Sequence, residues 1–541
     1  TISPDLSTNN PEKLKQAESG GLTMDATGAE NHCTILVIEP AVLEKDVLWA
    51  ATDDGQVHIT KNGGESWTNV AKNLNGLPKN SWITQIKASN KNKGEALLIA
   101  NDYRRFNYTP YAYRTKNYGK TWTRIVDEND VQSYTLCIVE DPENENLLFL
   151  GTDDGLYISI NAGKKWTKWT AGFPTVPVKD LVIQEREHDL VIGTFGRAAW
   201  VLDDIRPLRA LANSNITNEE LVLFTPPTTY QVAYQQPTGS RFGADAIYQG
   251  ENRKRGALIS YYINKPVEEK KKVSKDNNEE KLQDKKPEIR HDSIKLEIFD
   301  GSKKIRTLQF KTPKDSGIHK TIWYLREKGV ARASRKIRKL KREPAGVAVK
   351  PGIYHLKMTF GTAVSEQDIT VSFDPRLEIS QDAINQKYDA SKELELYQAQ
   401  IAAIVKQLVE SKNTATTLKV KLEKEDTKKY KSEITTSKEI IKKVDGLIAI
   451  YLGTIDKRQG ITRNPEVTVN QRLGLASRYI RSRFGEQTDT EKTLMNQFKE
   501  TFKKTVSKTN SFFKEDWFAY MASIEKIKIS PFKDFKIFTT N

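Results

Sequence analysis

Two pairs of adjacent carboxylates are the residues best suited to hydrolytic chemistry in this sequence. Asp53 and Asp54 lie in one TDDG segment, and Asp153 and Asp154 lie in a second copy of it. A glycoside hydrolase needs two carboxyl groups about 5–10 Å apart across a cleft. Each pair here stands instead in an Asp-Gly turn between two apolar runs, and a tight hairpin accounts for it. We therefore assign no catalytic residue and predict a non-catalytic chain.

The sequence contains no recognised motif for a metal or cofactor. Its six histidines are scattered singly, and no phosphate loop, dinucleotide fingerprint or nucleophile elbow stands in a suitable context. The two cysteines, Cys33 and Cys137, lie in apolar segments of strand type, which predicts buried free thiols rather than a disulfide. The prediction is therefore no cofactor and no metal.

The amino-acid composition limits the classes of partner that this chain is expected to bind. The chain has 541 residues, 37% of them hydrophobic, and a formal net charge of +15. Its Lys residues alternate with many acidic ones and form no basic motif interleaved with aromatic residues, so we exclude nucleic acid and favour an anionic envelope surface or polysaccharide. No apolar run is long enough to span a membrane. Because the chain opens with Thr rather than Met, we expect a processed or truncated product.

A four-point pattern recurs three times in the first third of the chain. A Ser or Thr is followed by Asn two residues later, Gly four residues later and Trp seven residues later, which suits a turn whose side chains bond its own backbone. Such a repeat of several short strands predicts propeller blades. We call these segments the box turns, and they comprise Thr60, Asn62, Gly64 and Trp67; Thr115, Asn117, Gly119 and Trp122; and Ser159, Asn161, Gly163 and Trp166.

The box turns resemble the Asp-box, or BNR, repeat of sialidases and sortilin-like β-propellers, with Asn where Asp is usual. The resemblance implies that these residues hold hairpins and bind no ligand. The segment from Gly193 to Asp204 (GTFGRAAWVLDD) also resembles the closing motif of large secreted bacterial propeller proteins labelled glycosyl hydrolases, except that Phe195 replaces the usual His. A sialidase would need three convergent Arg residues and a Tyr nucleophile, and the expected Arg-Ile/Leu-Pro motif is absent.

The predicted fold is multidomain and mainly β. Residues 1–212 form about four propeller blades in an incomplete ring, with residues 1–6 as the outer strand of a preceding blade. Residues 213–375 alternate as in an Ig or fibronectin-like β-sandwich with charged insertions, one of them at Pro266–Arg290. Residues 376–541 form an α-helical bundle, whose first helix is predicted at Ala383–Lys412. We expect a missing N-terminal propeller segment or a partner chain to complete the ring.

One loop stands out as a possible binding site. In blade two, the turn opposite the box turns is enlarged and rich in aromatic and Arg residues, which recognise sugars or peptides by stacking and bidentate bonding. An ordinary packing role for this loop stays open. The candidate binding residues are Tyr103, Arg104, Arg105, Tyr108, Tyr111 and, in the closing motif, Arg197.

These observations favour an exported, non-catalytic binding or scaffold protein that acts at the cell envelope. The resemblance implies a secreted, periplasmic or outer-membrane location and envelope proteins or polysaccharide as partners. Two alternatives remain open. One is a sialidase-like or xyloglucanase-like glycoside hydrolase with part of its site in missing blades, and the other is a peptide-binding sorting receptor.

Overall fold

A computed structural model describes residues 2–15, 32–232, 253–264, 292–337, 340, 342–455 and 467–527. The chain divides into two compact units. The first takes in the described residues of Thr1–Phe224, Ser260–Lys272 and Asp315–His319, and the second those of Thr225–Ile259, Val273–Lys314 and Lys320–Asn541. The predicted insertion at Pro266–Arg290 lies outside the described residues.

Three four-stranded antiparallel sheets follow one another in the first unit, each with its strands in sequence order. Consecutive hairpins joined in this way are propeller blades. Blade one contains β1 (Ile35–Pro40), β2 (Leu48–Thr52), β3 (Val57–Thr60) and β4 (Thr68–Asn69). Blade two contains β5 (Trp82–Ala88), β6 (Ala96–Asp102), β7 (Asn107–Thr115) and β8 (Thr123–Arg124). Blade three contains β9 (Thr135–Glu140), β10 (Leu148–Thr152), β11 (Gly155–Ser159) and β12 (Thr167–Lys168).

The box turns join the third and fourth strands of each blade through the same hydrogen bonds. In blade three, Gly163 N donates to Ser159 Oγ at 2.9 Å, and Lys165 N donates to Asn161 Oδ1 at 2.9 Å. Blades one and two repeat both bonds at 2.9–3.0 Å. Asn therefore supplies the acceptor that the turn needs. A Cβ on Gly163 would lie 3.0 Å from the Ile125 Cβ, so only Gly permits this close approach between blades.

Neighbouring blades bury their apolar faces against each other. Trp49 and Trp122 meet edge to face between blades one and two, with ring centroids 5.9 Å apart. Ile99 and Phe149 are fully buried in blades two and three. Because the blades pack face to face, the middle strands β6 and β10 are buried at every position.

A shorter sheet follows blade three. It contains β13 (Val178–Gln184), β14 (Asp189–Thr194) and β15 (Ala199–Leu202), and helix α1 (Arg206–Asn213) comes next. Within α1, the buried Arg209 donates through Nε to Asp141 Oδ2 at 2.7 Å and so ties the helix to blade three.

The remaining strands belong to further β-sheets. The largest is a five-stranded sheet in the second unit, in the order β17-β25-β24-β19-β20. Residues Ile294, Leu296 and Ile298 alternate into its buried side. The strands are β16 (Leu221–Leu223), β17 (Thr229–Gln231), β18 (Ala257–Ile263), β19 (Ser293–Asp300), β20 (Lys303–Lys311), β21 (Gly317–Trp323), β22 (Arg326–Lys328), β23 (Ala345–Ala348), β24 (Gly352–Phe360) and β25 (Ala363–Phe373).

The described chain after Pro375 is mainly helical, and its helices share one apolar core. The core includes Val405, Leu408, Val444, Leu473 and Phe498. None of the described helices is both long and apolar enough to cross a membrane. The helices are α2 (Gln381–Asp426), α3 (Lys431–Leu452), α4 (Val469–Ile480), α5 (Asp489–Phe512) and, after a π-helical turn at Phe513–Trp517, α6 (Phe518–Glu525).

The predicted fold class is confirmed: propeller blades, further β-sheets and C-terminal helices. Three details differ from prediction. The first helix continues beyond Lys412 because Ala415 and Leu422 extend its buried face. Cys33 is only half-buried, since β1 begins two residues later, at Ile35. Residues 2–6 are not a strand, although Ile2 O accepts a hydrogen bond from Trp67 Nε1 at 3.0 Å.

Candidate ligand-binding site

The antiparallel strand order brings three segments to one edge of blades two and three. Trp82 begins β5, Tyr103 lies in the connection between β6 and β7, and Tyr134 immediately precedes β9. The first strand of a blade starts where its second strand ends, so these positions share the edge opposite the box turns. That edge therefore collects side chains that are far apart in the sequence.

Four rings and one guanidinium form what we call the aromatic patch: Trp82, Tyr103, Tyr108, Tyr134 and Arg104. Tyr103 stacks on Tyr134 with centroids 4.7 Å apart, and Trp82 meets Tyr103 edge to face at 6.5 Å. Tyr108 lies 6.1 Å from Tyr134. The Arg104 guanidinium lies over the Trp82 ring, 3.1 Å from its centroid, in a cation–π contact. The patch thus bridges blades two and three.

A hydrogen bond holds Tyr134 in place. Its hydroxyl donates to Asp153 Oδ1 at 2.8 Å. Burial raises the pKa of Tyr134, and the hydrogen bond to Asp153 raises it further, so the phenol stays protonated and remains a donor. Asp153 therefore orients the ring of Tyr134 and is engaged in this hydrogen bond rather than free to act on a ligand.

The loop of blade two exposes one further ring, Phe106, together with Tyr108 of the aromatic patch. Phe106 adopts a left-handed conformation with φ +60° and is 85% exposed. Its N–H donates to Tyr103 O at 2.9 Å, which closes the turn. Tyr108 is 54% exposed. A non-glycine residue with positive φ and an exposed apolar ring is costly, and such features concentrate at binding sites.

The structure separates the predicted binding residues into two groups. It brings Tyr103, Arg104 and Tyr108 together in the aromatic patch. It places Arg105 in an ion pair with Asp102, with Nε and Oδ1 2.5 Å apart.

Two other predicted residues lie outside the patch. Tyr111 is 4% exposed and packs in the apolar core, because β7 is buried at every position from Pro110 to Thr115. Arg197 is exposed on the turn between β14 and β15 in another sheet. The three Arg residues among the predicted binding residues, Arg104, Arg105 and Arg197, thus occupy three different surroundings.

Sequence reasoning missed Trp82, Tyr134 and Phe106. The signal for the first two was present in the repeat itself, since residues at the start of a blade's first strand adjoin the turn between its second and third strands. No comparable signal existed for Phe106, whose exposure depends on the left-handed turn.

The four candidate carboxylates of the TDDG turns all have structural partners. Asp53 Oδ1 accepts from Thr34 N at 2.8 Å, and Asp153 accepts from Tyr134. Asp54 accepts from the backbone and hydroxyl of Thr8, at 2.6 Å each. The fourth, Asp154, pairs with the Lys168 ammonium, with Oδ2 and Nζ 2.7 Å apart.

Although no metal site was predicted, the described chain brings one group of possible metal-ligating side chains together. His32, Cys33 and Asp54 each offer an atom, and these atoms lie within 4.8 Å of one another. The histidine and cysteine are adjacent in sequence, a spacing that carries no motif signal. The carboxylate comes from the TDDG turn of blade one.

No family model and no curated protein matches the chain. Among solved structures, YCF48 from Cyanidioschyzon merolae is similar at 16% identity and TM-score 0.24, over 31% of this chain and 53% of that one. The GH74 xyloglucanase from Xanthomonas campestris matches at 13% identity and TM-score 0.24, over 34% and 30%. The Cps50 (Swd1) β-propeller domain of Myceliophteria thermophila matches at 14% identity and TM-score 0.24, over 31% and 51%.

The chain thus spans about half, or less, of the length of these structures. They include a xyloglucanase, and YCF48 is also solved with a D1 peptide bound. The matches therefore do not distinguish an enzyme from a binding protein.

Proposed function

We propose that this chain is a non-catalytic binding protein of the Asp-box propeller type, and that its aromatic patch binds an extended polypeptide segment. The observation that carries the proposal is the loop of blade two, which holds Phe106 and Tyr108 in solvent beside stacked rings. Large exposed apolar rings are costly unless a partner covers them. The loop has its own hydrogen bonds and is therefore preorganised for such a partner.

The composition of the patch favours a polypeptide over a saccharide. Tyr, Trp and Arg are the residue types that dominate binding energy at protein interfaces. A saccharide stacks on a free ring face, whereas Arg104 already covers one face of Trp82 and Tyr103 covers one face of Tyr134. The exposed rings of Phe106 and Tyr108 suit insertion between side chains of a peptide.

A hydrolytic function has less support in the described chain. The carboxylates of both TDDG turns are engaged by hydrogen bonds or, for Asp154, by Lys168. A general acid also needs a raised pKa. Burial raises the pKa of Asp54, but the hydrogen bonds from Thr52 and Thr8 together lower it by more, so the net shift is downward.

An array of synthetic peptides, varied in charge and aromatic content, tests the proposal directly. Untagged protein is applied to the array, and the Kd for the best peptide is then measured by fluorescence anisotropy. Phe106→Ala and Tyr108→Ala should each weaken binding about tenfold or more, which corresponds to about 1.4 kcal/mol. Tyr324→Ala, which removes another exposed ring, is the matched control and should leave Kd unchanged.

Two outcomes would contradict the proposal. Retention on immobilised xyloglucan or chitosan, lost in the same two variants, would replace the peptide by a saccharide. Turnover of an aryl glycoside, abolished by Asp53→Asn or Asp153→Asn, would replace binding by catalysis.

We further propose that additional blades pack on both ends of the blade array and that the protein acts at the cell envelope after export. The support is apolar surface on the end sheets: Ile38 of β1 is 69% exposed, and Val201 of β15 is 56% exposed. Blade-to-blade packing covers equivalent residues elsewhere in the array. The blades could come from the same gene product or from a partner chain.

Light scattering tests this part of the proposal. Association should weaken in Ile38→Glu and Val201→Glu but not in Val364→Glu, a control at an exposed residue of β25 in the second unit. A monomer for all three variants and for the unmodified chain would contradict it. Localisation is tested by fractionating cells that express the native gene.

A further inference from the structure

The two TDDG turns differ in how their second carboxylate is neutralised. In blade three, Lys168 pairs with Asp154. In blade one, Asp54 is fully buried, and no Lys or Arg in the described chain pairs with it. A buried carboxylate is costly unless hydrogen bonds and a positive charge compensate it.

The charged groups around Asp54 do not supply that positive charge. Asp5, a second carboxylate, lies within electrostatic reach of Asp54. The described residues therefore place two carboxylates in one region without a Lys or Arg paired to Asp54, an arrangement suited to a cation.

A thiol and an imidazole stand beside this carboxylate. His32 Nδ1 lies 3.4 Å from Cys33 Sγ, which in turn lies 3.6 Å from Thr8 Oγ1. A metal about 2.0–2.3 Å from a nitrogen and a sulfur in tetrahedral geometry would hold them at close to this separation. Cys33 has a left-handed φ of +60°, and this conformation places it beside Asp54 rather than in β1.

We propose that His32, Cys33 and Asp54 bind a zinc ion. One nitrogen, one sulfur and one oxygen donor suit Zn²⁺, whereas Ca²⁺ and Mg²⁺ prefer oxygen donors alone. Binding forms a Zn–S bond and releases the Cys33 thiol proton to solvent. The Thr8 hydroxyl, which donates to Asp54, would orient the carboxylate from the outer shell.

Three protein ligands leave one tetrahedral position for water or for a donor from a ligand. The ion would join the segment before β1 to the TDDG turn at the edge of blade one. Because Cys33 precedes β1 as Tyr134 precedes β9, the site lies on the same kind of blade edge as the aromatic patch. The proposal does not depend on peptide binding.

Thiol accessibility provides the first test, because the chain has only two cysteines. Cys137 is buried, and burial raises its pKa, so it serves as an internal unreactive control. Native untagged protein should react with a thiol reagent at Cys33 alone, and stoichiometric ZnCl₂ should slow that reaction at least tenfold. An unchanged rate would overturn the proposal, whether or not a peptide binds the aromatic patch.

Calorimetric titration with ZnCl₂ provides the second test, with one site expected. His32→Ala and Cys33→Ser should each weaken binding more than about 100-fold, since loss of even an outer-shell partner costs about 10–100-fold. The matched control is His355→Ala, which removes a partly exposed histidine from β24. Far-UV circular dichroism verifies folding of each variant. Zinc binding that survives in both ligand variants would overturn the proposal.

Discussion

Blade one and blade three contain the same two turns, but the same residues meet different neighbours. In both TDDG turns the Thr hydroxyl donates to Oδ1 of the second Asp, from Thr52 to Asp54 and from Thr152 to Asp154. The other oxygen of Asp54 meets Thr8, and that of Asp154 meets Lys168. The repeated turn therefore has the same internal hydrogen bond in both blades. The partner of its other carboxylate oxygen depends on the side chains that lie next to the turn.

The cores of the two blades also have different residues at corresponding positions. Val37 pairs with Ala51 across β1 and β2, and the corresponding pair in blade three is Cys137 and Gly151. The box turns also differ, because Trp166 is buried and donates to Ile125 O at 2.7 Å, whereas Trp67 is only half-buried. Blade three has neighbours on both faces, which explains its tighter packing.

Replacing the tryptophans of the box turns by Ala tests the difference in burial between blades one and three, and we expect it to give the largest effect. Trp166→Ala should lower the free energy of unfolding by about 3–5 kcal/mol, as expected for a buried aromatic ring. Trp67→Ala should cost less than half of that, because much of its ring already contacts solvent. Urea denaturation of both variants gives the comparison, and equal losses would contradict the difference in packing.

Adding a side chain at Gly151 tests how closely the core of blade three is packed. A Cβ there would lie 2.4 Å from Cys137 Sγ, so Gly151→Ala should destabilise by about 1–3 kcal/mol through overpacking. Adding Cys137→Ala should recover part of the loss. The matched control is Gly193→Ala in β14, where the nearest atom would be 3.6 Å away and little change is expected. Thermal and urea unfolding measure all three variants, and an equal loss at Gly193 would contradict this account.

Asp54→Asn tests the carboxylate of blade one. The change replaces an acceptor of three hydrogen bonds, so it should cost about 1–2 kcal/mol at pH 7 with EDTA present. The pKa of Asp54 is lowered in the folded chain, so its contribution is present at neutral pH and is lost as pH falls below about 4 through the folded pKa. Urea denaturation at pH 7 and pH 3 should therefore show the difference shrinking in acid; a constant difference would contradict it.

Lys168→Met should give the smallest effect. Its ammonium and the Asp154 carboxylate are each about one-third exposed, at 31% and 32%, so solvent screens the pair. We expect a loss of about 0.2–1 kcal/mol that declines as salt is raised. Unfolding measured in 50 mM and 1 M NaCl checks this. A loss larger than that of Asp54→Asn would reverse the comparison between the two turns.

The repeat was predictable because its residues act locally. Each box turn needs only its own hydroxyl, amide and glycine to close, so the pattern alone indicated the hairpins and hence the blades. The C-terminal helices were similarly visible in apolar spacing. The aromatic patch was predictable only in part: Tyr103, Arg104 and Tyr108 share one loop, whereas Trp82 and Tyr134 come from other segments.

The sequence by itself determined the turns, the strand periodicity and the helical character of the C-terminal region, because short-range hydrogen bonds and apolar spacing specify these features. Only the tertiary structure decided which edge residues meet. It stacked Tyr134 on Tyr103, buried Tyr111 in the apolar core, and placed His32 and Cys33 beside Asp54, with which no Lys or Arg of the described residues forms an ion pair. The physical reason is that blade packing and strand order bring together residues from separate segments, and no local pattern encodes those contacts.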